Sequence, residues 1–410
     1  MSWTPAAALL VGWLVAITKF STLAGLVHLL PTVAFVLLVS ARPAQRSTET
    51  TAAPLTRLAF VDRARAFAVA LMVPTHAVNA LLADAYRHND LFYVWRFASG
   101  LAVVLFLGVA GFVVGVRPLS VHSASTRVWS GLTRRWRRCA VLVATGYAMH
   151  LPSLDLPSVW ADPSRWARFV AVDVLQTMGL GLAVLAVVDA WCRRRLASQR
   201  LFISCATTAA ALVVIATPAI VSRPWHDVWP TVVASYLSTA RGSLFPLVPW
   251  SAYLFAGAAL GAMTSDVRDE SRLSVRFAAL GGGLVLVGLL VAASPLWPPD
   301  RPGFWSVSPA MFLVKFGLVA LVLATTSASP FVARPLSPVA RLWSEHSLFI
   351  YLWHVFLIYG SVVSPGLVRL TGTSHGPLMV LVMCAGLLAV STWAASLWSR
   401  LSAGHAAPRG

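Results

Sequence analysis

The sequence predicts an all-α, polytopic integral membrane helical bundle of about ten core helices plus an N-terminal accessory pair, about twelve helices in total. Three observations lead there: composition, the length of the apolar runs, and the placement of arginine. Hydrophobic residues make up 58% of the 410 positions and charged residues 11%, with a mean hydropathy of +0.75. A soluble domain carries roughly 25% charged residues. A bilayer core takes about 20 apolar residues per helix. Windows of that length fall at 4–20, 22–41, 64–84, 94–116, 138–152, 169–191, 201–221, 244–264, 277–296, 308–327, 346–364 and 377–399. The cations between these spans alternate in density, twenty on one set of loops and nine on the other. Cytoplasmic loops carry the excess, so both termini are expected in the cytoplasm.

Taken in order, the first two spans are interrupted by Lys19 and Pro31 and form the accessory pair, residues 1–41. They lack a basic n-region and follow one another directly, which favours membrane helices over a cleaved signal. Residues 42–57, rich in Ser, Thr, Ala and Pro, read as a polar linker. The membrane domain then runs from 58 to 400, and 401–410 form a cytoplasmic tail. The long loops 153–168 and 222–243, on the arginine-poor side, hold Trp160, Trp166, Trp225 and Trp229, as expected where aromatic rings meet the water boundary. They suit the rim of an outward-facing cleft.

The net charge of +18 would suggest nucleic acid in a soluble chain. Here the arginines set topology, and no nucleic-acid partner is expected. Cys139, Cys192, Cys205 and Cys384 are scattered, with neither a disulfide framework nor a metal-ligand spacing.

Ionisable groups inside a bilayer are costly and mark function by default. The first core helix carries Asp62, Arg63, Arg65 and His76. At 1.5 Å per residue His76 lies about 16 Å beyond Arg65, near mid-membrane or slightly outward. Asp173 enters from the outer side, with Gln176 and Thr177 on its face. Tyr147 and His150 share a face near the outer end of their helix, and Lys315 lies about two turns in. His354 sits in Tyr351-Leu-Trp-His354. At the cytoplasmic end Asp62 and Arg65 can pair at i, i+3, and Arg134 and Arg138 offer guanidinium forks suited to phosphate. Each has a plainer reading. His76 and His354 could pack against neighbouring helices, Asp173 could anchor structure, the arginine run could serve topology alone, and Lys315 could snorkel. Gly257, Gly261 and Gly281 to Gly283 read as close helix packing.

The stretch Phe60-Val-Asp62-Arg63-Ala-Arg65-Ala66 through Pro74-Thr75-His76 resembles the opening of the transmembrane acyltransferase superfamily, with its Asp-x-x-Arg-Gly head and helix histidine. Phe106-Leu-Gly-Val-Ala-Gly111-Phe112 resembles the next helix. Asp173-Val-Leu-Gln176-Thr-Met-Gly179, Phe245-Pro246-Leu-Val-Pro249-Trp250, Ser308-Pro309 and Ser347-Leu-Phe-Ile-Tyr351-Leu-Trp-His354 follow in family order. Together they resemble the bacterial branch related to the heparan-alpha-glucosaminide N-acetyltransferase catalytic domain and to acyltransferase-3 proteins. Ala66 stands where the pattern has Gly, and the polar, glycine-containing surroundings of the lysosomal enzyme's histidine are absent. The resemblance implies that 58–400 moves an acyl group, expected to be acetyl, from cytosolic acyl-CoA to a sugar hydroxyl or amine, a glycan or amino sugar, on the outer side. It implies His76 as base or acyl carrier, Asp62 and Arg65 organising the donor end, and Arg134 and Arg138 holding CoA phosphates. Asp173 would orient the histidine, as acids do in triads. Acetyl-CoA enters as co-substrate, and no metal is expected.

A proton-coupled transporter or flippase is the competing class. It lacks support from internal repeats or paired broken helices, and Pro74, Pro246 and Pro249 are isolated. A membrane scaffold leaves His76 and Asp173 unexplained.

Overall fold

The computed structural model describes residues 58–116, 125–195, 198–265, 269–294, 307–328, 334–362 and 364–404. The expected accessory helices and linker lie outside the described residues. Sixteen α-helices and no strand occur among those described. They are α1 Ala59–Leu81, α2 Asp90–Gly115, α3 Ser125–Met149, α4 Leu156–Ala161, α5 Pro163–Phe169, α6 Val174–Arg195, α7 Gln199–Val221, α8 Trp225–Val228, α9 Thr231–Ala234, α10 Leu247–Met263, α11 Glu270–Ala293, α12 Pro309–Ser327, α13 Pro338–Glu345, α14 Ser347–Tyr359, α15 Leu367–Thr371 and α16 Pro377–Gly404. Each of the ten expected core spans falls on one of the longer helices. Seven are long and apolar enough to cross a membrane, and α10 and α14 are shorter apolar helices. The chain is an all-α polytopic membrane bundle.

Several boundaries differ from the sequence reading, each for a local reason. Helix α3 starts at Ser125 rather than 138, so the arginine run lies on the helix. Arginine is a good helix former, and an apolar window undercounts a helix whose first half is cationic. Helix α1 spans Ala59–Leu81, which puts His76 in its last third, about 8 Å before the end. Pro74 does not break it. The proline leaves the carbonyl of Ala70 without its N–H, a defect membrane helices tolerate. The loops 153–168 and 222–243 hold the short helices α4, α5, α8 and α9. Asp162 starts α5 by accepting hydrogen bonds from the backbone N–H groups of Ser164 and Arg165.

The described chain divides into two compact units. One takes 69–99 and 342–404, the other 58–68 and 100–341. In the second, the helices touch through glycine. A side chain at Gly111 would meet the backbone carbonyl of Leu254, one at Gly257 that of Gly108, and one at Gly261 that of Phe112. Helices α2 and α10 therefore approach to backbone contact, a distance only glycine permits. Gly281 and Gly317 do the same for α11 and α12. The close-packing expectation holds for Gly257, Gly261 and Gly281, whereas Gly282 and Gly283 face open space. Phe60, Phe112 and Phe277 form a buried aromatic trio in the same unit, with ring centres 5.8 to 6.0 Å apart.

In the first unit, the end of α1 is held by the loop before α16. The N–H of Ala83 donates to the carbonyl of His375, and the N–H of His375 donates to that of Leu81. The Arg87 guanidinium donates to the carbonyls of Asn79 and Leu82. These carbonyls have no partner within the helix. The anchoring fixes the last turn of α1, one turn beyond His76.

Candidate active site

The first unit gathers rings around His76. The His76 ring centre lies 5.1 Å from that of His354, 6.2 Å from Tyr351 and 6.0 Å from Tyr359. The phenol of Tyr359 reaches the His76 carbonyl at 3.4 Å. His76 is half-buried, while His354 has no exposed surface. Tyr351 and His354 are three residues apart on α14 and so share a face. His354 Nδ1 stands 2.6 Å from the carbonyl of Ile350, and its Nε2 is buried without a hydrogen-bond partner.

The second unit holds the other candidates. His150 Nε2 is 3.5 Å from a carboxylate oxygen of Asp173. Asp173 immediately precedes α6 instead of lying within it. Its other oxygen accepts from the N–H of Val174 at 2.7 Å, and its own N–H donates to Gln176 Oε1 at 3.1 Å. Gln176 Nε2 donates to the carbonyl of Ala171, and the fully buried Gln176 side chain fills the space left by Gly146. Both ends of that amide are thus engaged by backbone, which is a helix-start arrangement. The segment 243–245 is stitched to the same turn. Leu244 and Phe245 donate N–H groups to the carbonyl of Val172, Ser243 Oγ accepts from Val172, and Thr177 Oγ1 donates to the carbonyl of Phe245. Val248, which precedes Pro249, takes a non-helical conformation inside α10.

An aromatic row leads to this turn. Trp160, which is exposed, packs on Trp166 at 4.7 Å, Trp166 on Phe169 at 5.7 Å, and Phe169 on Tyr147 at 5.8 Å. The phenols of Tyr147 and Tyr236 share a hydrogen bond at 2.6 Å. Burial, then the Tyr147 phenol, raise the pKa of Tyr236. Side-chain and backbone hydrogen bonds from Ser164 hold the Asp162 carboxyl below its usual range. Burial, with Arg241 nearby, lowers that of His226.

At the start of α1, Asp62 is buried and Arg65 half-buried. Arg63 lies beside them, and one further carboxylate, Asp189, escaped the sequence reading. Arg63 donates from Nη2 to the carbonyl of Arg334, while its Nη1 is buried without a partner. Asp189, buried on α6, takes Arg135 and Arg193 on its two oxygens. A carboxylate at the end of an apolar run, next to Arg193 to Arg195, was the available signal. Arg134 and Arg138 are exposed on α3, so within the run Arg135 is tied into the protein while those two present their forks outward. Lys315 is buried on α12. A cavity of about 350 Å³ among α7, α10, α11 and α12 is lined by residues such as Ala210, Val214, Leu260, Leu284 and Phe312. No ionisable side chain lines it, so it offers no acid, base or nucleophile.

Residues 57–290 match the family described as Heparan-alpha-glucosaminide N-acetyltransferase, catalytic. The chain belongs to this family. No curated protein matches it. Membership of the heparan-alpha-glucosaminide N-acetyltransferase catalytic family, together with the apolar helices, makes the chain an integral membrane protein of acetyltransferase type. The family in general draws its acetyl group from acetyl-CoA. The matched segment includes Asp62, Arg65, His76, the arginine run, His150, Asp173 and Gln176. Lys315 and His354 lie beyond it.

Proposed function

We propose that the protein transfers an acetyl group from cytosolic acetyl-CoA to the hydroxyl or amine of a sugar on the outer side of the membrane, with His76 as base. The observation that carries this reading is the ring-lined setting of His76, half-buried beside His354 and two tyrosines. The His76 cluster brings together ring side chains, and a neutral imidazole suits proton removal near pH 7. In the reaction, the acceptor oxygen or nitrogen forms a bond to the thioester carbonyl carbon. The acceptor proton passes to His76, the C–S bond breaks, and the departing CoA thiolate takes that proton. A two-step version, in which His76 carries the acetyl group before the acceptor attacks, has the same balance.

Asp62 and Arg65, in the first turns of the helix that bears His76, organise the donor end in this reading. Arg134 and Arg138 take the CoA phosphates, for which exposed guanidinium forks on one helix face are suited. The Asp173–His150 pair, with the aromatic row from Trp160 to Tyr147, serves the sugar, since flat rings stack well on the apolar faces of pyranoses. Gln176 and Lys315 are further site residues in this reading. Residues 58–400 form the catalytic domain, both termini lie in the cytoplasm, and the membrane is the bacterial inner membrane.

Membranes containing the protein, given acetyl-CoA labelled in the acetyl group, are expected to pass label to an added amino-sugar or glycan acceptor. The His76→Ala protein, inserted equally well, is expected not to. Uptake of the acceptor without acetylation would instead favour a transporter.

A further inference from the structure

His354 is fully buried in α14, and its Nδ1 points at the carbonyl of Ile350 from 2.6 Å. A carbonyl oxygen only accepts, so Nδ1 carries the ring hydrogen and the lone pair of the neutral ring sits on Nε2. That nitrogen is enclosed and has no hydrogen-bond partner. Buried acceptors are nearly always satisfied, so an unused one asks for an occupant.

The neighbour at the right distance is His76. Two imidazoles joined by an N–H···N bond, with nitrogens about 2.9 Å apart, have ring centres about 5 Å apart. The His76 and His354 centres are 5.1 Å apart, with the planes inclined by 60°. The centre distance is that of an N–H···N contact, and χ2 of histidine is a broad torsion, so a change of ring angle is what separates the two rings from that bond. Among the described residues, the titratable rings in contact with the pair include Tyr351 and Tyr359, both from α14.

We infer that His354 is the positioning residue for His76: its Nε2 accepts a hydrogen bond from one ring nitrogen of His76 and so directs the other toward the acceptor. This rests on the reading of His76 as base. The orienting task that a carboxylate performs in a Ser-His-Asp triad falls here to a neutral imidazole whose tautomer is set by a backbone carbonyl. The bond strengthens when His76 takes the acceptor proton, since a charged donor makes the stronger hydrogen bond.

Two substitutions separate positioning from packing. In His354→Asn the amide keeps the hydrogen bond to Ile350 and has nothing where Nε2 stood. In His354→Gln the longer side chain puts an acceptor oxygen back at that place. The expected result is a kcat lower by about 100-fold in the Asn protein, with KM for acetyl-CoA little changed, and recovery of about tenfold of that loss in the Gln protein. Wild-type kcat in the Asn protein, or equal losses in the two, overturns the inference. A second measurement needs no activity and uses the unsubstituted His354. In histidine-labelled protein in bilayers, 15N magnetic resonance is expected to find His354 protonated at Nδ1 and bare at Nε2, with the Nε2 signal displaced by His76→Gln. A protonated Nε2, or a signal indifferent to His76→Gln, overturns it. A wild-type protein that transfers no acetyl group would remove the acyltransferase reading, and the resonance experiment would still decide the histidine pair.

Discussion

His76 and His150 each lie beside a polar side chain, and the two neighbours differ in what else they do. His150 meets the carboxylate of Asp173, but the same carboxylate also caps α6 through Val174, and the backbone of Asp173 is tied to Gln176. Helix α6 needs a residue of this kind at its start whether or not any chemistry occurs there. Beside His76, with ring centres 5.1 Å apart, lies His354, whose Nδ1 faces the Ile350 carbonyl and whose Nε2 has no hydrogen-bond partner. A polar group already consumed by the backbone says little about function, while one the fold leaves unused says more.

The largest expected effect breaks the comparison if it fails. His76→Ala should lower acetyl transfer by about 10³-fold with the melting temperature unchanged, whereas Asp173→Asn should lower it by about tenfold, in keeping with a role on the acceptor side. Labelled-acetate transfer measures both, and an equal loss in the two proteins would put Asp173 at the reacting atoms.

The second prediction separates the two jobs of Asp173. Asn caps a helix about as well as Asp, so Asp173→Asn should retain stability. Asp173→Ala should lose about 1 kcal/mol in denaturant unfolding. Similar stability in both variants would mean that α6 does not rely on this cap.

The third concerns the row leading to that turn. Tyr236→Phe removes one half-buried phenol of a hydrogen-bonded pair and should cost about 1 kcal/mol, read by the same unfolding experiment. Because the pKa of Tyr236 is raised, the pair keeps both protons at all ordinary pH values, and the cost should not vary between pH 6 and about pH 9.

The smallest effect is local. The folded carboxyl of Asp162 titrates below its ordinary range because Ser164 and Arg165 donate hydrogen bonds to it. A depressed pKa contributes stability above the unfolded value and loses it as pH falls through the folded one. Amide exchange across 163–169 should therefore be faster in Asp162→Ala than in wild type at neutral pH, and the difference should vanish once the carboxyl is protonated.

Much of this was legible in the residues because membrane solvation makes it so. Apolar runs of bilayer length, loops crowded with arginine and isolated ionisable residues within the runs follow from the cost of exposing backbone or charge to hydrocarbon. That cost marked the ten core helices, and it marked His76, Asp173, Lys315 and His354 as residues to explain. It placed Gly257 and Gly261 at helix contacts, since small residues are what close approach requires. It misplaced the start of α3, because a hydropathy window cannot see a helix whose first half is made of arginine. It missed Asp189, because a carboxylate at the end of an apolar run looks like the start of a loop until Arg135 and Arg193 are found on it.

Partnership was decided by tertiary structure alone. Nothing in the sequence pairs Asp173 with His150, stitches Ser243 to Phe245 onto the first turn of α6, or brings His354 within 5.1 Å of His76. These residues are distant in the chain, and which faces meet depends on helix rotation, set by side-chain packing along the entire contact. By itself the sequence determined that this chain is a membrane bundle with costly polar groups in it, a local consequence of solvation. The fold decided which of those groups are consumed as caps and which are left with a lone pair to spend on chemistry.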